Sequence, residues 1–318
     1  MTPRVTVIIV TYNSAGFIGE CLDTLSKSAA SGYLKVILVD NASTDSTADI
    51  IEKEYPWVNL VRSKYNNGFG AGNNIAISDV EGDYIFFLNP DTRVGPYCSK
   101  TLVDFLDDYD DAGCVGPCVI DEKGHKILSY FMFTGLFTSL WSAMELQRLF
   151  PLNRTNGKRE FRWKPPNYSV EVDRLLGAAI MIRRKVLDQI GRFDERFFLY
   201  SEEEDICLRL RHAGWNIYYD PSSYVIHQGG TCKQQALPLM IAAANWSRYI
   251  YLRKHKNRIS AEISRLVWII LLSLRLFISF LLPASRRKRY GYIWSLKSLL
   301  KPGYFDRVLR PGCSGIEN

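Results

Sequence analysis

Short apolar runs alternate with helical spacing along the first third of the chain. The runs at 5–10, 35–39 and 84–88 are rich in Val, Ile, Leu and Phe and predict β-strands. Between them, apolar residues recur every three or four positions at 19–29 and 46–53, which predicts helices. Alternation of strand and helix predicts an α/β fold built from βαβ units around a buried, mostly parallel sheet.

Each of these three strands is followed by a polar segment. The segments are TYNS at 11–14, DNASTDS at 40–46 and NPDT at 89–92. Ligands of open α/β sheets bind beyond the carboxyl ends of the strands. We therefore expect the three segments to meet in one crevice.

The pattern weakens at 124–166 and becomes regular again with LLGAAIMIRRKVL at 175–187 and VIHQGG at 225–230. After residue 236 the spacing is predominantly helical. This predicts an α/β domain over residues 1–235 and a helical, basic region over 236–318.

The distribution of charged residues divides the chain into nearly the same two parts. The 318-residue chain is 47% hydrophobic and carries a net charge of +7. Residues 248–310 contain 15 basic and two acidic side chains, whereas residues 1–247 carry a net charge of −5. Seven cysteines without a CxxC pair indicate a reducing compartment, and the first apolar run is too short for a signal peptide. We expect a cytoplasmic protein.

Candidate ligand-binding residues lie at the strand ends. Asp91 follows the strand 84–88, and Asn89 could add a neutral oxygen, a ligand set that suits Mg²⁺ or Mn²⁺. His227 could bind the same metal or a diphosphate. A strand-ending turn with Pro90 explains Asp91 equally well, and His227 taken alone is better explained as a structural histidine. The segment NNGFGAGNN at 66–74 fits neither a P-loop nor the dinucleotide fingerprint, yet its glycines allow close approach of a ligand.

Four consecutive carboxylates occupy positions 202–205. Ser201 and Glu204 fit a capping box, and acidic residues favour the first turn of a helix. Asp205 precedes Arg209 by four residues and should pair with it. A helix start explains Glu204 and Asp205, but it leaves Glu202 and Glu203 without a role.

Taken together, six ordered segments resemble the inverting glycosyltransferase family 2, especially its rhamnosyltransferase-like branch. They are VTVIIVTYNS, VDNASTDST, NNGFGAGNN, FLNPDTRV, GAAIMIRRKVLDQIGRFDERFFLYSEEEDICLRLRHAGW and VIHQGG, which span about residues 4–232. The resemblance implies a GT-A fold, the Rossmann-like fold of nucleotide-diphospho-sugar transferases, followed here by a helical C-terminal extension. It also implies a nucleotide-sugar donor, Mg²⁺ or Mn²⁺ as cofactor, and single displacement with inversion.

The resemblance implies that residues 1–235 form a catalytic domain, with nucleotide binding at about 1–95 and acceptor binding and catalysis at about 96–235. It also implies site residues. The base and ribose pocket is implied at Thr11, Tyr12, Asn13 and Asp40, and the rest of the donor site at Asn67, Gly68, Asn74, Asn89 and Asp91. Asn89 stands where the family has the first carboxylate of its Asp-x-Asp metal motif. Metal binding should therefore depend on Asp91, the donor diphosphate and His227.

The general base of the family lies in a Glu-Asp-x-Asp stretch before the acidic helix. Alignment on DICLRL places Glu203 at the base position, where the family usually has Asp. Glu202 and Asp205 remain alternatives if the loop is shifted by one residue. The base would accept the proton of the acceptor hydroxyl as it attacks the anomeric carbon.

The most apolar run, RLVWIILLSLRLFISFLLP at 265–283, is short for a membrane span and contains Arg275. Arg265, Arg275 and Ser279 lie near one stripe, which favours an interfacial helix. Four basic residues at 286–289 favour anionic lipid. Packing on the catalytic domain or at a dimer interface is the alternative, so the sequence leaves open whether the protein forms a homo-oligomer. No recognition module for nucleic acid accompanies the basic stretch.

The sequence predicts a glycosyltransferase on the inner face of the cytoplasmic membrane. The expected reaction moves rhamnose from dTDP-rhamnose to a saccharide or polyprenyl-diphosphate-linked acceptor in surface polysaccharide synthesis. A UDP-hexose donor and an inactive nucleotide-sugar-binding protein are the alternatives. A nucleotidyltransferase would need Arg and Lys near the first strand, and residues 11–20 contain neither.

Overall fold

A ten-stranded sheet forms the centre of the catalytic domain. The computed structural model describes residues 2–156, 158–229, 237–281, 286–301 and 303–309. The main sheet has the order β11-β14-β6-β13-β4-β1-β2-β3, with β5 paired to β14 and β7 to β6. The strands are β1 Val5–Thr11, β2 Leu34–Asp40, β3 Asn59–Arg62, β4 Tyr84–Leu88, β5 Thr92–Val94, β6 Ala112–Ile120, β7 Lys126–Ile127, β8 Tyr130–Phe131, β9 Leu152–Thr155, β10 Lys158–Phe161, β11 Val170–Glu171, β12 Arg174–Leu175, β13 Ala179–Arg183 and β14 Asn216–His227.

The first four main strands are parallel, as the alternating pattern predicts. β1 pairs with β2 on one side and with β4 on the other, and β3 extends the sheet beyond β2. β1 and β4 are buried along their whole length, which explains why their sequences read as continuous apolar runs. Their carboxyl ends therefore lie side by side.

The second half of the sheet is mixed. β13 is inserted antiparallel between β4 and β6, and β14 runs parallel to β6. β14 also pairs with the short β5, and this pairing sets His227 opposite Thr92. A residue from the end of the catalytic domain thereby reaches the loop that follows β4.

Helices cover both faces of the sheet and continue beyond it. They are α1 Ile18–Ala30, α2 Thr47–Glu54, α3 Phe69–Ile77, α4 Cys98–Asp108, α5 Leu136–Ala143, α6 Arg184–Ile190, α7 Glu202–His212, α8 Leu237–His255, α9 Arg258–Leu281 and α10 Arg286–Leu300, with a 3-10 turn at Leu146–Arg148 and a π-helical turn at Phe305–Leu309.

Three C-terminal helices pack on the catalytic domain through their own apolar cluster. Trp246, Trp268 and Leu272 form this cluster with Phe198, which precedes the acidic helix α7. Ser247 adds a hydrogen bond of 2.9 Å from its hydroxyl to the carbonyl of Leu199. The C-terminal region is therefore fastened directly to the segment that leads into the four carboxylates.

Helix α9 presents its apolar face outward and its polar stripe inward. Arg275 turns towards the domain, where Nη2 donates to the carbonyl of Ala143 at 2.8 Å and lies 3.1 Å from Oε1 of Glu145. Ser279 is buried. The predicted stripe of Arg265, Arg275 and Ser279 exists, but it packs on protein and does not face lipid headgroups.

The opposite face of α9 is an exposed apolar stripe spaced by three or four residues: Ile259, Ile263, Leu266, Ile270, Leu274, Phe277 and Leu281. Among the described residues, α9 is the one helix long and apolar enough to cross a bilayer by length and composition.

Candidate active site

The loops after β1 and β2 are joined by hydrogen bonds. The side-chain oxygen of Asn13 accepts from the backbone N–H of Thr44 at 2.8 Å, and the N–H of Asn13 donates to the hydroxyl of Ser43 at 2.9 Å. Asn13 has a positive φ of 50°, which suits asparagine. The predicted convergence of these two loops is confirmed, and Asn13 helps to hold them together.

Asp40 lies buried at the end of β2. Its carboxylate accepts from the hydroxyl of Thr11 at 3.2 Å and from the N–H of Ser43 at 3.1 Å. The structure thus gives Thr11 the role of fixing Asp40, whereas Tyr12 lies partly exposed beside it.

Gly68 is required by the geometry of the glycine-rich segment. Its φ is +84°, and a Cβ at this position would lie 2.1 Å from the carbonyl oxygen of Phe198. The side chain of Asn41 donates to the carbonyl of Gly68 at 2.9 Å, so the loop after β2 supports this turn. The segment therefore links the β2 loop to the approach of α7.

The two asparagines predicted in this segment have different surroundings. The amide of Asn67 donates to the hydroxyl of Ser63 at 2.9 Å. Asn74 is buried in α3, where its amide donates to the carbonyl of Phe193 and accepts from the N–H of the same residue. A third hydrogen bond reaches Glu195 at 2.9 Å. Asn74 is thus occupied in joining α3 to the loop at 192–195.

Asp91 and His227 meet although 135 residues separate them. Nε2 of His227 lies 3.2 Å from Oδ1 of Asp91, and both side chains are largely buried. The N–H of Gln228 also donates to the carbonyl of Asp91 at 3.1 Å. The predicted pair is assembled by the pairing of β5 with β14. Among the residues that the structure describes, no three His, Cys, Asp or Glu side chains form a metal-binding group.

Asn89 connects this pair to the acidic helix. Its N–H donates to the carbonyl of Ala178 at 2.9 Å. The neighbouring Gly177 lies against Glu203, because a Cβ on Gly177 would be 3.6 Å from Cγ of that residue. The segment 177–178 therefore lies between the Asp91 loop and Glu203 at the same edge of the sheet.

The acidic helix α7 begins in an unusual way. Tyr200 and Ser201 both adopt left-handed backbone conformations, with φ of 70° and 66°. Ser201 makes no side-chain cap hydrogen bond, so the predicted capping box with Glu204 is wrong. Because consecutive left-handed residues other than glycine are costly, this entry to α7 is held by its surroundings.

Glu202 and Glu203 are the two carboxylates that a helix start leaves unexplained. Glu202 is buried, and its Oε2 has no hydrogen-bond partner among the described residues. Burial, followed by the charge of Glu203, raises the pKa of Glu202 well above its usual range. Burial therefore favours the neutral form of Glu202.

Glu203 lies beside Arg174, whose Nη1 is 3.4 Å from Oε1. Burial raises the pKa of Glu203, and the guanidinium of Arg174 opposes that shift. The result is a carboxylate with a raised pKa that still has a cation beside it. These are the properties of a group that can accept a proton near neutral pH.

Glu204 and Asp205 are engaged by protein groups. Glu204 accepts from the N–H and the hydroxyl of Thr134. Asp205 is fully buried, and it contacts Arg209 at 2.9 Å, Lys254 at 2.6 Å and His255 at 2.6 Å. Burial raises the pKa of Asp205, but hydrogen bonds from His255 and Lys254 outweigh it and lower the pKa below its usual value. The predicted Asp205–Arg209 pair is confirmed.

Sequence reasoning missed the cations around α7. Arg174 belongs to β12 and directly precedes the segment LLGAAIM, whereas Lys254 and His255 end α8. Inspection of the motif around Gly177 could have found Arg174, since it lies three residues before this glycine. No sequence motif marks Lys254 and His255, because only the packing of α8 brings them to Asp205.

A sheet of this topology, with polar loops after β1, β2 and β4 at one edge and an acidic helix near them, is that of the GT-A class of nucleotide-sugar-dependent glycosyltransferases. The chain belongs to glycosyltransferase family 2, whose family model, described as Glycosyl transferase family 2, matches residues 6–191. The expectations of family and fold are both confirmed.

Curated relatives include rhamnosyltransferases. The chain is 31% identical over 264 residues to N-acetylglucosaminyl-diphospho-decaprenol L-rhamnosyltransferase of Mycobacterium tuberculosis, which covers 79% of this chain and 85% of the relative. It is 26% identical over 230 residues to rhamnosyltransferase WbbL of Escherichia coli, covering 70% and 82% of the two chains.

The fold is also found in a solved mannosyltransferase. PcManGT of Pyrobaculum calidifontis, in complex with GDP-Man and Mn²⁺, superposes with a TM-score of 0.56 and covers 94% of this chain and 88% of its own. The two sequences are 15% identical, so this likeness concerns the fold alone.

Proposed function

We propose that this protein is an inverting, metal-dependent rhamnosyltransferase. Its donor is dTDP-rhamnose, and its acceptor is a saccharide on a polyprenyl diphosphate in surface polysaccharide synthesis. One observation carries the proposal: Gly177 and Ala178 connect the partly buried Glu203 to the loop of Asn89, two residues before Asp91. The candidate proton acceptor and the candidate metal-binding pair are thus joined through the segment 177–178.

We assign donor binding to the loops after β1, β2 and β3. Tyr12 and Asp40 contact the base, while Thr11 and Asn13 hold this pocket in shape through their bonds to Asp40 and Thr44. Asn67 and Gly68 lie along the nucleotide-sugar. Asn74 acts indirectly, since its amide positions the segment at 193–195.

Asp91 and His227 fit a divalent cation, because one anionic oxygen and one imidazole nitrogen converge within 3.2 Å. Two protein ligands leave room for diphosphate oxygens of the donor, and Asn89 lies next to them. When bound, the cation would neutralise the charge that develops on the leaving diphosphate. Mg²⁺ and Mn²⁺ both suit an oxygen-rich set of this kind.

Glu203 acts as the general base. It accepts the proton of the acceptor hydroxyl as the oxygen forms a bond to the anomeric carbon and the bond to the nucleoside diphosphate breaks. Attack from the side opposite the leaving group inverts the anomeric configuration. Burial raises the pKa of Glu202 well above its usual range, and Asp205 is held by Arg209, Lys254 and His255, so the local electrostatics favour Glu203 over both.

The identity of the substrates rests on similarity. The mycobacterial relative is named for L-rhamnosyl transfer to N-acetylglucosaminyl-diphospho-decaprenol, and the match covers 85% of it. A lipid-linked acceptor also suits a protein with an exposed apolar helix face. We place the protein on the inner face of the cytoplasmic membrane, held there by α9 and by exposed cations of α10 such as Arg287 and Lys288.

A transfer assay tests the proposal. Purified protein is incubated with N-acetylglucosaminyl diphosphate on a short prenyl chain, with Mg²⁺ or Mn²⁺, and with dTDP-rhamnose, UDP-glucose or UDP-N-acetylglucosamine. We expect a disaccharide product from dTDP-rhamnose alone, with inverted anomeric configuration by NMR. Formation of product from a UDP-sugar would show that this sugar nucleotide, and not dTDP-rhamnose, is the donor. Binding of nucleotide-sugars without product would favour an inactive binding protein.

A further inference from the structure

Within the part of the chain that the structure describes, the partly buried Arg248 forms no ion pair. The hydrogen bond that its guanidinium makes there is a contact of 3.5 Å from Nη1 to Oδ1 of Asn245, on the same helix. The other arginines near it, Arg253, Arg265 and Arg275, each pair with a carboxylate. Because an unpaired charge inside a protein is costly, an isolated guanidinium of this kind indicates a site for an anion from outside the chain.

A rigid platform holds this guanidinium. Arg248 stacks on the ring of Trp268, with Cζ 4.4 Å from the ring centroid. The indole N–H of Trp268 donates to the hydroxyl of Ser139 at 3.1 Å, which fixes the ring. Arg275 lies over the same ring at 5.7 Å. Two guanidinium groups are thus gathered around one tryptophan, and their mutual repulsion favours an anion between or beside them.

The electrostatic surroundings support this interpretation. Burial lowers the pKa of Arg248 to about 10, and the charges of Arg174 and Arg275 lower it while Glu204 opposes them. Glu204 attracts Arg248 but forms no ion pair with it among the described residues, and its oxygens accept hydrogen bonds from Thr134. A phosphate would supply a direct anionic partner.

The position of Arg248 relates this anion to the reaction. Its neighbour Ser247 is hydrogen-bonded to the carbonyl of Leu199, four residues before Glu203. Arg174, which contacts Glu203, is an electrostatic neighbour of Arg248. Trp268 belongs to α9, whose other face is the exposed apolar stripe defined above. A charged group at Arg248 would therefore lie between the base and a surface suited to a lipid chain.

We propose that Arg248, stacked on Trp268 and assisted by Arg275, binds the phosphate groups of the lipid-linked acceptor. This inference rests on the proposed function and adds to it the residue that recognises the diphosphate. The saccharide would then extend towards Glu203 and the prenyl chain towards the apolar stripe of α9. The donor diphosphate is a less fitting occupant, because the hydrogen bond and the ring contact of Arg248 are to residues of α8 and α9, and the proposed donor residues lie in loops of the sheet.

Acceptor kinetics of Arg248→Gln test this proposal. The acceptors are N-acetylglucosaminyl diphosphate on a prenyl chain and a neutral N-acetylglucosaminide of the same prenyl alcohol. We expect the KM for the diphosphate acceptor to rise roughly 10- to 100-fold, the loss that one or two charge-assisted hydrogen bonds predict. Donor KM and transfer to the neutral acceptor should stay unchanged. Arg248→Lys should recover part of the loss, since it retains the charge.

Arg253→Gln is the matched control. Arg253 lies on the same helix, is more exposed and pairs with Glu262, so its removal should change neither KM. An equal KM of Arg248→Gln and wild type for the diphosphate acceptor would overturn the proposal. A rise in donor KM would assign Arg248 to the donor, and weaker binding to phosphatidylglycerol vesicles without acceptor would assign it to lipid headgroups.

A binding measurement separates this inference from the proposed function. Calorimetry with farnesyl diphosphate and with farnesol requires no turnover. We expect wild-type protein to bind farnesyl diphosphate more tightly than farnesol, and Arg248→Gln to remove that difference. If Arg248→Gln removes this difference in affinity but the wild type transfers no sugar, the phosphate site is supported and the proposed reaction is rejected. Equal affinity of the wild type for the two compounds would reject the site.

Discussion

Nη1 of Arg174 lies 3.4 Å from Oε1 of Glu203, and Nε of the same guanidinium lies 3.8 Å from Oε2 of Glu204. This arginine comes from β12, on the short strand pair β8–β12 outside the main sheet. Its donor Nε also binds the carbonyl of Met132 at 3.2 Å, which fixes its orientation. Arg174 thus places a fixed positive charge beside the proposed base.

Removing that charge should change the pH dependence of the reaction. Burial raises the pKa of Glu203 and Arg174 opposes this rise, so Arg174→Gln should raise the pKa further. A base is active when deprotonated, and activity is lost as pH falls through its pKa. The acidic limb of the kcat–pH profile should therefore move to higher pH in Arg174→Gln, and less in Arg174→Lys. Arg196→Gln, an exposed arginine paired with Asp194, should leave the profile unchanged.

Glu203 and Glu202 should respond differently to the same substitution. Glu203→Gln should lower kcat by roughly 10²- to 10⁴-fold while donor binding is retained, because it removes the proton acceptor. Burial raises the pKa of Glu202 well above its usual range and favours its neutral form, so Glu202→Gln should change the site little and preserve most of the activity. Steady-state kinetics with calorimetric donor binding would check both. A larger loss of kcat in Glu202→Gln than in Glu203→Gln would assign the role of general base to Glu202.

Asp91 should be required for metal-dependent donor binding. Asp91→Ala should abolish the difference between the dTDP-rhamnose affinities measured with and without Mn²⁺, and His227→Ala should reduce it. Asp121 and His125 offer a matched control, since they form an exposed pair at the same separation of 3.2 Å. Asp121→Ala should retain full metal dependence. An unchanged metal effect in Asp91→Ala would remove Asp91 from the metal site.

Asp205 should be important for stability. Asp205→Asn leaves Arg209, Lys254 and His255 without their buried counter-charge and should cost about 3–5 kcal/mol in urea unfolding at pH 7. The folded-state pKa is lowered, so the stabilisation is present above the unfolded pKa and is lost as pH falls through the folded pKa. The difference between wild type and Asp205→Asn should therefore shrink in acid. A difference that is constant from pH 7 to pH 3 would contradict the ionised state of Asp205.

The exposed face of α9 should hold the protein on membranes. Ile270 and Leu274 are 58% and 52% exposed, and replacing both by Glu should weaken binding to phosphatidylglycerol liposomes by at least roughly tenfold. Tyr97, which is 81% exposed on the catalytic domain, provides a control as Tyr97→Glu. Sedimentation with liposomes measures both variants. Undiminished binding of the double variant would place the membrane contact elsewhere.

The spacing of apolar residues determined much of the fold. Strands β1, β2 and β4, helices α1 and α2, and the helical C-terminal region follow from local periodicity, and their ends agree within one or two residues. The strand-end segments were also predictable as neighbours, because parallel strands bring their carboxyl ends to one edge. The ordered motifs identified the family and the GT-A fold.

Tertiary structure decided which of the candidate groups are available for chemistry. Four adjacent carboxylates look alike in sequence, yet burial raises the pKa of Glu202, Arg174 accompanies Glu203, and three side chains from α7 and α8 hold Asp205. The same applies to α9, whose polar stripe faces protein and whose apolar stripe is exposed. Local patterns determine elements because backbone periodicity is local, whereas the charge state and accessibility of a side chain depend on neighbours that only the folded chain supplies.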